Sequence, residues 1–357
     1  MIHCSYQQLI HFAEQVFLQM GLSAPSAADA ARVLLSADVR GVDSHGVARL
    51  SGYVRLWDAG RIQTHTSPVI EHETPSTAVV NGQAGLGLCV APYAMQVAID
   101  KAAQVGTGWV SVHNSSHFGI AGVHAMMALP HDMIGIAFTN ASPLVAPTFS
   151  KDRMLGTNPI AVSIPAGEEP PFVADFATTT AANGKLEILQ RKKESAPLGW
   201  IQTKDGSPST DASALKQGGA LLPLGGDREH SSHKGFMLGS IVDIFSGVLS
   251  GANFGKYVPP FPAYLAMPSF MPGKGIGHFF GAMRIDGFRK AADFKKDMDT
   301  WIRDMRAATP IHVNQPVVIP GDPERAETAH RMKHGIEIME EVYADLQLLA
   351  VRFNVSL

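Results

Sequence analysis

A mixed α/β fold, with helical segments at both ends of the chain and a mixed sheet between them, is what this sequence predicts. Residues 6–59 and 290–349 repeat apolar positions at helical spacing. From about residue 68 to 176 the chain breaks into short β-rich runs bounded by Gly, Pro and Asn, with helical runs interleaved. The length of 357 residues exceeds what one core usually serves, so two domains are expected. One is helical, from residues 1–70 plus 290–357; the other is mixed α/β, from residues 71–289.

In chain order, Leu9, Phe12, Ala13, Val16, Phe17 and Met20 form the apolar stripe of a first helix that Gly21 stops. Ser23 as cap and Pro25 in the first turn open a second helix running to Gly41, and a third spans Val47 to Ala59. The runs "TAVVNGQAG", "GWVSVH", "MIGIAFTN", "IAVSIPAG" and "FVADFA" read as strands, with helices in "VAPYAMQVAIDKAAQVG" and "FGIAGVHAMMAL". "KGFMLGSIVDIFSGVLSG" reads as a buried apolar helix. Residues 257–277, rich in Pro, Gly and aromatics, read as a long loop serving as lid or interface arm. A strand follows in "HFFGAMRIDGF", then helices from Lys290 to Ala308 and from about Pro323 to Leu349.

Composition narrows the function. With 45% hydrophobic and 17% charged residues and a net charge of −3, the chain lacks the concentrated basic charge that nucleic acid or anionic membrane requires. A small-molecule partner is expected, and the light surface charge suggests a covering subunit. Cys4 and Cys89 form neither a disulfide framework nor a zinc pattern, which fits the reducing cytoplasm. No apolar run approaches the ~20 residues a membrane helix needs.

The stretch "RGVDSHGVARL", residues 40–50, concentrates an acid, a hydroxyl, an imidazole and two arginines. Asp43 or Ser44 could cap the following helix. Equally, His45 could act as general acid or base with an ordinary pKa near ~6.5, Ser44 could orient its proton, and Arg49 could grip a carboxylate bidentately. In "SVHNSSHFGIAGVHAMM", His113, His117 and His124 hint at a metal, but no carboxylate lies within the motif and no metal site is expected. The small residues from Phe118 to Gly122 instead allow a flat ligand or phosphate to approach a helix start. "VADFATTTAANGKLEI" ends a strand at Asp175 and carries Lys185 into a helix. "GGDREHSSHKGFML" puts His233 and Lys234 ahead of a helix, where a cation implies an anionic ligand. No Gly-x-Gly-x-x-Gly opens a helix after a strand and no Walker A occurs, so any dinucleotide is held outside the Rossmann scheme.

Taken in order from about residue 5 to 350, "RGVDSHGVARL", "HNSSHFG", "GTNPIAVSIP", "VADFATTTAANGK", "GWIQTKDGSPSTD", "LLPLGG…HKGF", "LSGANFG" and "IPGDPE" resemble the malate/L-lactate dehydrogenase family. This non-Rossmann group also contains sulfolactate and ureidoglycolate dehydrogenases, diketogulonate reductase and ketimine reductases. The resemblance implies a homodimer with a mixed-sheet cofactor-binding domain. It also implies hydride transfer between NAD, or alternatively NADP, and a 2-hydroxy acid, malate or lactate first, with a 2-keto sugar acid, ureidoglycolate, sulfolactate or ketimine oxidoreductase of the same fold as the alternative.

By the same resemblance, His45, Ser44, His117 and Lys185 are candidate catalytic residues, and His45 and His117 compete for the acid/base role. Arg49, Thr157, Asn183 and Gly184 would meet substrate. Cofactor contacts would fall on His117, Phe118, Gly119, Ile120 and Ala121, on Asp175, Phe176 and Ala177, on His233 and Lys234, and on Gly321, Asp322, Pro323, Glu324 and Arg325. Ketimine-reducing members carry an aspartate where this chain has Lys185, which argues against imine reduction. Outside this fold, a metal-dependent hydrolase or a catalytically silent binding protein are the competing readings.

Overall fold

The computed structural model describes residues 1–357, apart from the side chain of Arg191. A short strand β1 (Ile2–Cys4) leads into α1 (Tyr6–Gln19), where Ser5 caps the helix by accepting the Gln8 N–H at 3.1 Å. α2 (Ala24–Val39) opens on Ser23 and the first-turn Pro25 as its sequence predicts. Its buried Ala27, Ala30 and Ala31 leave room for α1 to pack closely, and α3 (Leu50–Asp58) adds Leu50, Tyr53 and Val54 to the same core.

The central sheet begins with β2 (Val69–Glu73) and β3 (Thr77–Asn81). α4 (Gly87–Val105) and β4 (Thr107–Ser115) follow, then the short α5 (Ala121–Ala125), β5 (Met133–Thr139), β6 (Ile160–Ile164) and β7 (Phe172–Phe176). After α6 (Asn183–Lys192), three two-residue strands, β8 (Ile201–Gln202), β9 (Pro208–Ser209) and β10 (Ala220–Leu221), make a small separate sheet in the order β10-β8-β9. α7 (Ser232–Asp243), β11 (Ile276–Arg284), α8 (Ala291–Arg306), α9 (Asp322–His334), β12 (Ile336–Ile338) and α10 (Glu340–Phe353) complete the chain.

The seven-stranded sheet has the order β2-β3-β4-β11-β5-β6-β7, with β3 and β4 parallel and every other pair antiparallel. That topology is α/β but not doubly wound, in line with the missing glycine fingerprint. β11 arrives late in sequence yet lies between β4 and β5, so its residues Ile276–Ala282 are buried throughout. A side chain at Gly108 would collide with the Ala98 carbonyl at 1.9 Å, which is how α4 sits so close on β4.

Four expectations change. The helix predicted from Pro323 to Leu349 is two helices split by Gly335 and β12, which pairs antiparallel with β1 through Ile2 and Ile338. The helix predicted over residues 118–129 shrinks to α5 followed by a 3-10 stretch, Met126–His131. His233 and Lys234 lie inside the first turn of α7 rather than before it. The predicted buried helix at 234–251 is α7 plus a π-helical turn, Ile244–Val248, and its Met237, Ile241, Ile244, Val248 and Leu249 face outward, each close to half exposed or more. The core side of this segment is built largely from small and polar residues, Gly235, Gly239, Asp243, Ser246 and Gly247, so its apolar positions mark the outward face instead. Among the described residues no helix is long and apolar enough to cross a membrane, and no group of three or more His, Cys, Asp or Glu side chains could hold a metal ion.

Two neutral histidines stand inside the sheet core. His278 bonds Thr139 Oγ1 at 2.7 Å and Ser115 Oγ at 2.8 Å and stacks on Phe118, while His124 donates to the Phe118 carbonyl at 2.9 Å. Burial pushes His124 down to about 4, and burial with the nearby His124 pushes His278 down to about 3. Their folded pKa values lie below the unfolded one, so their contribution to stability is complete above about 6.5 and is lost as pH falls through about 4 and then 3. The urea midpoint is therefore expected to drop as pH is lowered from about 6.5 to 4. His124→Gln, which keeps a donor for Phe118 and cannot charge, should flatten that drop; an unchanged slope would refute the assignment.

Candidate active site

The stretch that opens the α3 region is two 3-10 turns, Asp43–His45 and Val47–Arg49, and neither they nor α3 carry a side-chain cap. The capping alternative is thus not realised. Asp43 pairs with Arg331 from α9, and Ser44 Oγ lies 2.8 Å from His45 Nδ1. Arg49 donates from Nε to the Ser44 carbonyl, tying both ends of the motif together.

Beneath these turns lies Asp38 at the end of α2, almost fully buried. Its carboxyl accepts the Val47 N–H at 2.9 Å and fills the space beside Gly46, where a Cβ would meet it at 2.1 Å. Burial, reinforced by the charge of Asp43 and opposed by the Val47 N–H and Arg331, pushes Asp38 up to about 8, so it is mostly a neutral acid at pH 7. Arg331 donates to the Asp38 carbonyl at 2.8 Å as well as to Asp43, clamping α9 onto the same turn.

His117, on the loop from β4 to α5, stacks against His45 with ring centroids 5.6 Å apart. Its Nδ1 lies 2.7 Å from the Tyr53 hydroxyl and receives the Gly119 N–H at 3.3 Å. Phe261, from the Pro-rich arm, covers this pair: its ring centre lies 4.8 Å from that of His117 and meets Tyr53 edge-on at 5.3 Å, with the Arg49 guanidinium 5.8 Å away. Burial and the Arg49 charge push His45 down to about 4; burial, then His45, Arg49 and His278, hold His117 well below the ordinary imidazole value. Burial pushes the Tyr53 phenol up, so it stays protonated.

The structure thus gathers Ser44, His45, Arg49 and His117. It adds Gly184 at the start of α6, where a Cβ would lie 3.1 Å from Ser44 Cβ. Asn183, beside it, bonds Glu187 at 2.9 Å. Lys185 is exposed, with Nζ 5.8 Å from the Trp200 ring centre, and the Thr157 carbonyl serves Thr178 at 2.9 Å. Neither touches either histidine among the described residues.

A second cluster joins cofactor candidates from distant segments. Asp175 at the end of β7 accepts the Gly122 N–H at 2.7 Å, and the charges of Asp175, Glu324 and Arg325 all act on Arg40. Asp322 pairs with Arg306 at 3.1 Å and with Arg325, fixing the turn at Gly321 that starts α9; Pro323 is exposed there. His233 lies 3.0 Å from Arg228 and Lys234 is exposed. Phe118 is sealed in the sheet core, Gly119 turns the chain in a left-handed conformation, and Ile120 and Ala121, both buried, lead into α5; Phe176 and Ala177 continue from Asp175. Sequence reading missed Asp38, Arg40, Tyr53, Phe261 and Arg331. Of these, Arg40 lies in the motif at 40–50 and Phe261 in the Pro-rich arm without either having been given a role, and Tyr53 lies four residues beyond Arg49.

Comparison with known proteins now adds the class. The profile described as malate/L-lactate dehydrogenase matches residues 4–347. A malate dehydrogenase of Pyrococcus horikoshii is 38% identical, over 98% of this chain and 95% of its own. An L-sulfolactate dehydrogenase of Methanothermobacter thermautotrophicus is 35% identical, over 99% and 98%. The structure of malate dehydrogenase from Entamoeba histolytica matches with a TM-score of 0.92 at 32% identity, covering 100% of this chain and 99% of that one. Fold and relatives alike define a dehydrogenase that works outside the Rossmann scheme. The chain belongs to the malate/L-lactate dehydrogenase family.

Such a dehydrogenase uses a nicotinamide cofactor, and the residues present fit one. Glu324 Oε2 is buried with no hydrogen-bond partner among the described residues, the start of α7 has no side-chain cap and carries two basic residues, and Arg40 offers a cation between carboxylates.

The Asp38 anchor gives a test. Asp38→Asn keeps the acceptor for Val47, whereas Asp38→Ala leaves that N–H buried and unpaired at a cost of about 1–3 kcal/mol. Activity should fall much further in the alanine variant. Because the folded pKa of Asp38 is raised, its stability contribution is complete below about 3.8 and is lost as pH rises through about 8. Urea melts should show the wild type losing ground to Asp38→Asn across that range; parallel curves would contradict a buried neutral acid.

Proposed function

We propose that this chain oxidises a small 2-hydroxy acid to its 2-keto acid, and runs the reverse, with malate as the first substrate to test and lactate next. The observation that carries the reading is how the two stacked histidines are bonded. His117 Nδ1 receives a backbone N–H, which can only donate, so its proton sits on Nε2 and that nitrogen is not free to act as a base. His45 Nδ1 instead meets the Ser44 hydroxyl, which can accept from Nδ1–H and leave Nε2 with its lone pair.

His45 Nε2 therefore takes the hydroxyl proton in oxidation and returns it in reduction. Ser44 holds the ring in that tautomer, Arg49 holds the carboxylate, and His117 with Tyr53 and Phe261 walls the reacting carbon from water. When bound, the nicotinamide dinucleotide accepts or supplies the hydride. We assign its contacts to residues 117–121, 175–177, 233–234 and 321–325. We favour NAD over NADP because the Glu324 carboxylate, whose Oε2 is buried with no hydrogen-bond partner among the described residues, suits a ribose hydroxyl better than a phosphate ester. Asn183 and Gly184 border the substrate beside Ser44; Thr157 and Lys185 are retained as substrate and catalytic candidates from the resemblance alone. The outward apolar face of α7 supports a homodimer, and the two unpaired cysteines, Cys4 and Cys89, support a cytoplasmic site.

The depressed pKa of His45 shifts the expected pH dependence. Oxidation needs neutral imidazole, so kcat/KM should hold from pH 9 to about 5 and decline only toward about 4. Reduction needs imidazolium, so kcat/KM should fall about tenfold per pH unit above that pKa. Stopped-flow absorbance with NADH or NADPH and a panel of 2-keto acids checks both limbs, with chelator as control. His45→Gln should cost about 10²–10⁴-fold. Near-full activity after changing His45 and His117 together would overturn the mechanism, and loss of activity to chelator would overturn the metal-free chemistry.

A further inference from the structure

Arg61 follows α3 and lies under the Pro-rich arm, where its Nη2 donates to the Pro260 carbonyl. Its Nη1 is buried and has no hydrogen-bond partner, and Arg61 makes no ion pair among the described residues. A guanidinium whose donor is withheld from water without an acceptor is a costly arrangement that a bound anion would relieve. Desolvation alone lowers the Arg61 pKa, with no carboxylate acting to raise it.

Arg61 also lines a cavity of about 310 Å³ whose wall includes His117 and Phe261 from the candidate active site. Met267 and Met271 of the arm, and Lys274 at the exposed rim, close the other side. Two of the lining residues are cationic and none is acidic; Glu71, a carboxylate on which Lys274 acts, stands outside the wall. The volume is at the small end for ligand pockets, which suits a compact acid.

We propose that Arg61 is a specificity-determining residue that binds a second anionic group of the substrate, the distal carboxylate of a dicarboxylic 2-hydroxy acid or an equivalent sulfonate, while Arg49 holds the carboxylate next to the reacting carbon. This rests on the 2-hydroxy-acid reading above. It separates malate-like from lactate-like substrates: a monocarboxylic acid leaves the buried Nη1 unsatisfied, and the pocket discriminates against it for the same reason that any site built for a polar group rejects an analogue lacking it.

The test compares wild type, Arg61→Met and Arg61→Lys on malate and oxaloacetate against lactate and pyruvate. The methionine variant should lose about 10²-fold more kcat/KM on the four-carbon diacids than on the three-carbon acids, most of it in KM, with lysine recovering part of the difference. A parallel thermal-shift series with malonate, succinate and propionate reads the anion site without turnover. The two diacids should stabilise wild type and fail to stabilise Arg61→Met, with propionate inert on both. Equal losses on both substrate sets, or diacid stabilisation that survives Arg61→Met, would make Arg61 a strut for the arm and overturn the proposal. If wild type turns over neither acid class yet shows diacid stabilisation that depends on Arg61, the enzymatic reading fails and the anion site stands.

Discussion

Everything chemical in this protein depends on one buried acid. Asp38 replaces the side chain that residue 46 cannot have, and its hydrogen bond to Val47 fixes two tight turns that no cap or regular helix supports. Those turns present a serine, a histidine and an arginine from within six residues. Turns of that kind are entropically costly to hold. Here the cost is offset by a neutral carboxyl that fits between backbone atoms and by Arg331 reaching across from a helix nearly three hundred residues later.

That long reach links the two ends of the proposed reaction. The first turn of α9 carries Asp322, Glu324 and Arg325 in the cluster with Asp175 and Arg40, and Arg331 lies further along the same helix, clamped to the histidine-bearing turn. One rigid helix therefore sets the spacing between the proposed nucleotide contacts and the proposed proton carrier. Precision at the site comes from regular elements, α2, α3 and α9, and the loops are held wherever they meet them.

The sequence made the helical ends, six of the seven strands of the central sheet and the paired histidines legible because each rests on local periodicity or on a motif whose residues are close together. It concealed what depends on distant partners. β12 is three residues long and exists because β1 is there to pair with it. Tyr53 and Phe261 look like ordinary aromatics until α3 and the arm bring both to His117, and Asp38 looks like one more polar residue in a helix. The outward face of the helix predicted to be buried escaped for another reason: its core side is built largely from Gly235, Gly239, Asp243, Ser246 and Gly247, so the large apolar side chains that usually mark the core side lie on the outer one. The lowered pKa of His45 was equally out of reach, since it is set by burial, with His117 from a distant loop stacked on the ring, and by the charge of Arg49.

Two adjacent residues of the arm are tied down. Phe261 is held by its N–H to Ser142 Oγ at 2.9 Å, and the preceding proline by Arg61, so the cover of the site and part of its wall share one guanidinium. Whatever ligand steadies that guanidinium must also steady the cover, and whatever loosens the cover must weaken the ligand, by the same free energy. On the proposed role of Arg61, recognition and the seating of the arm are then a single equilibrium seen from two sides: each holds to the extent that the other does.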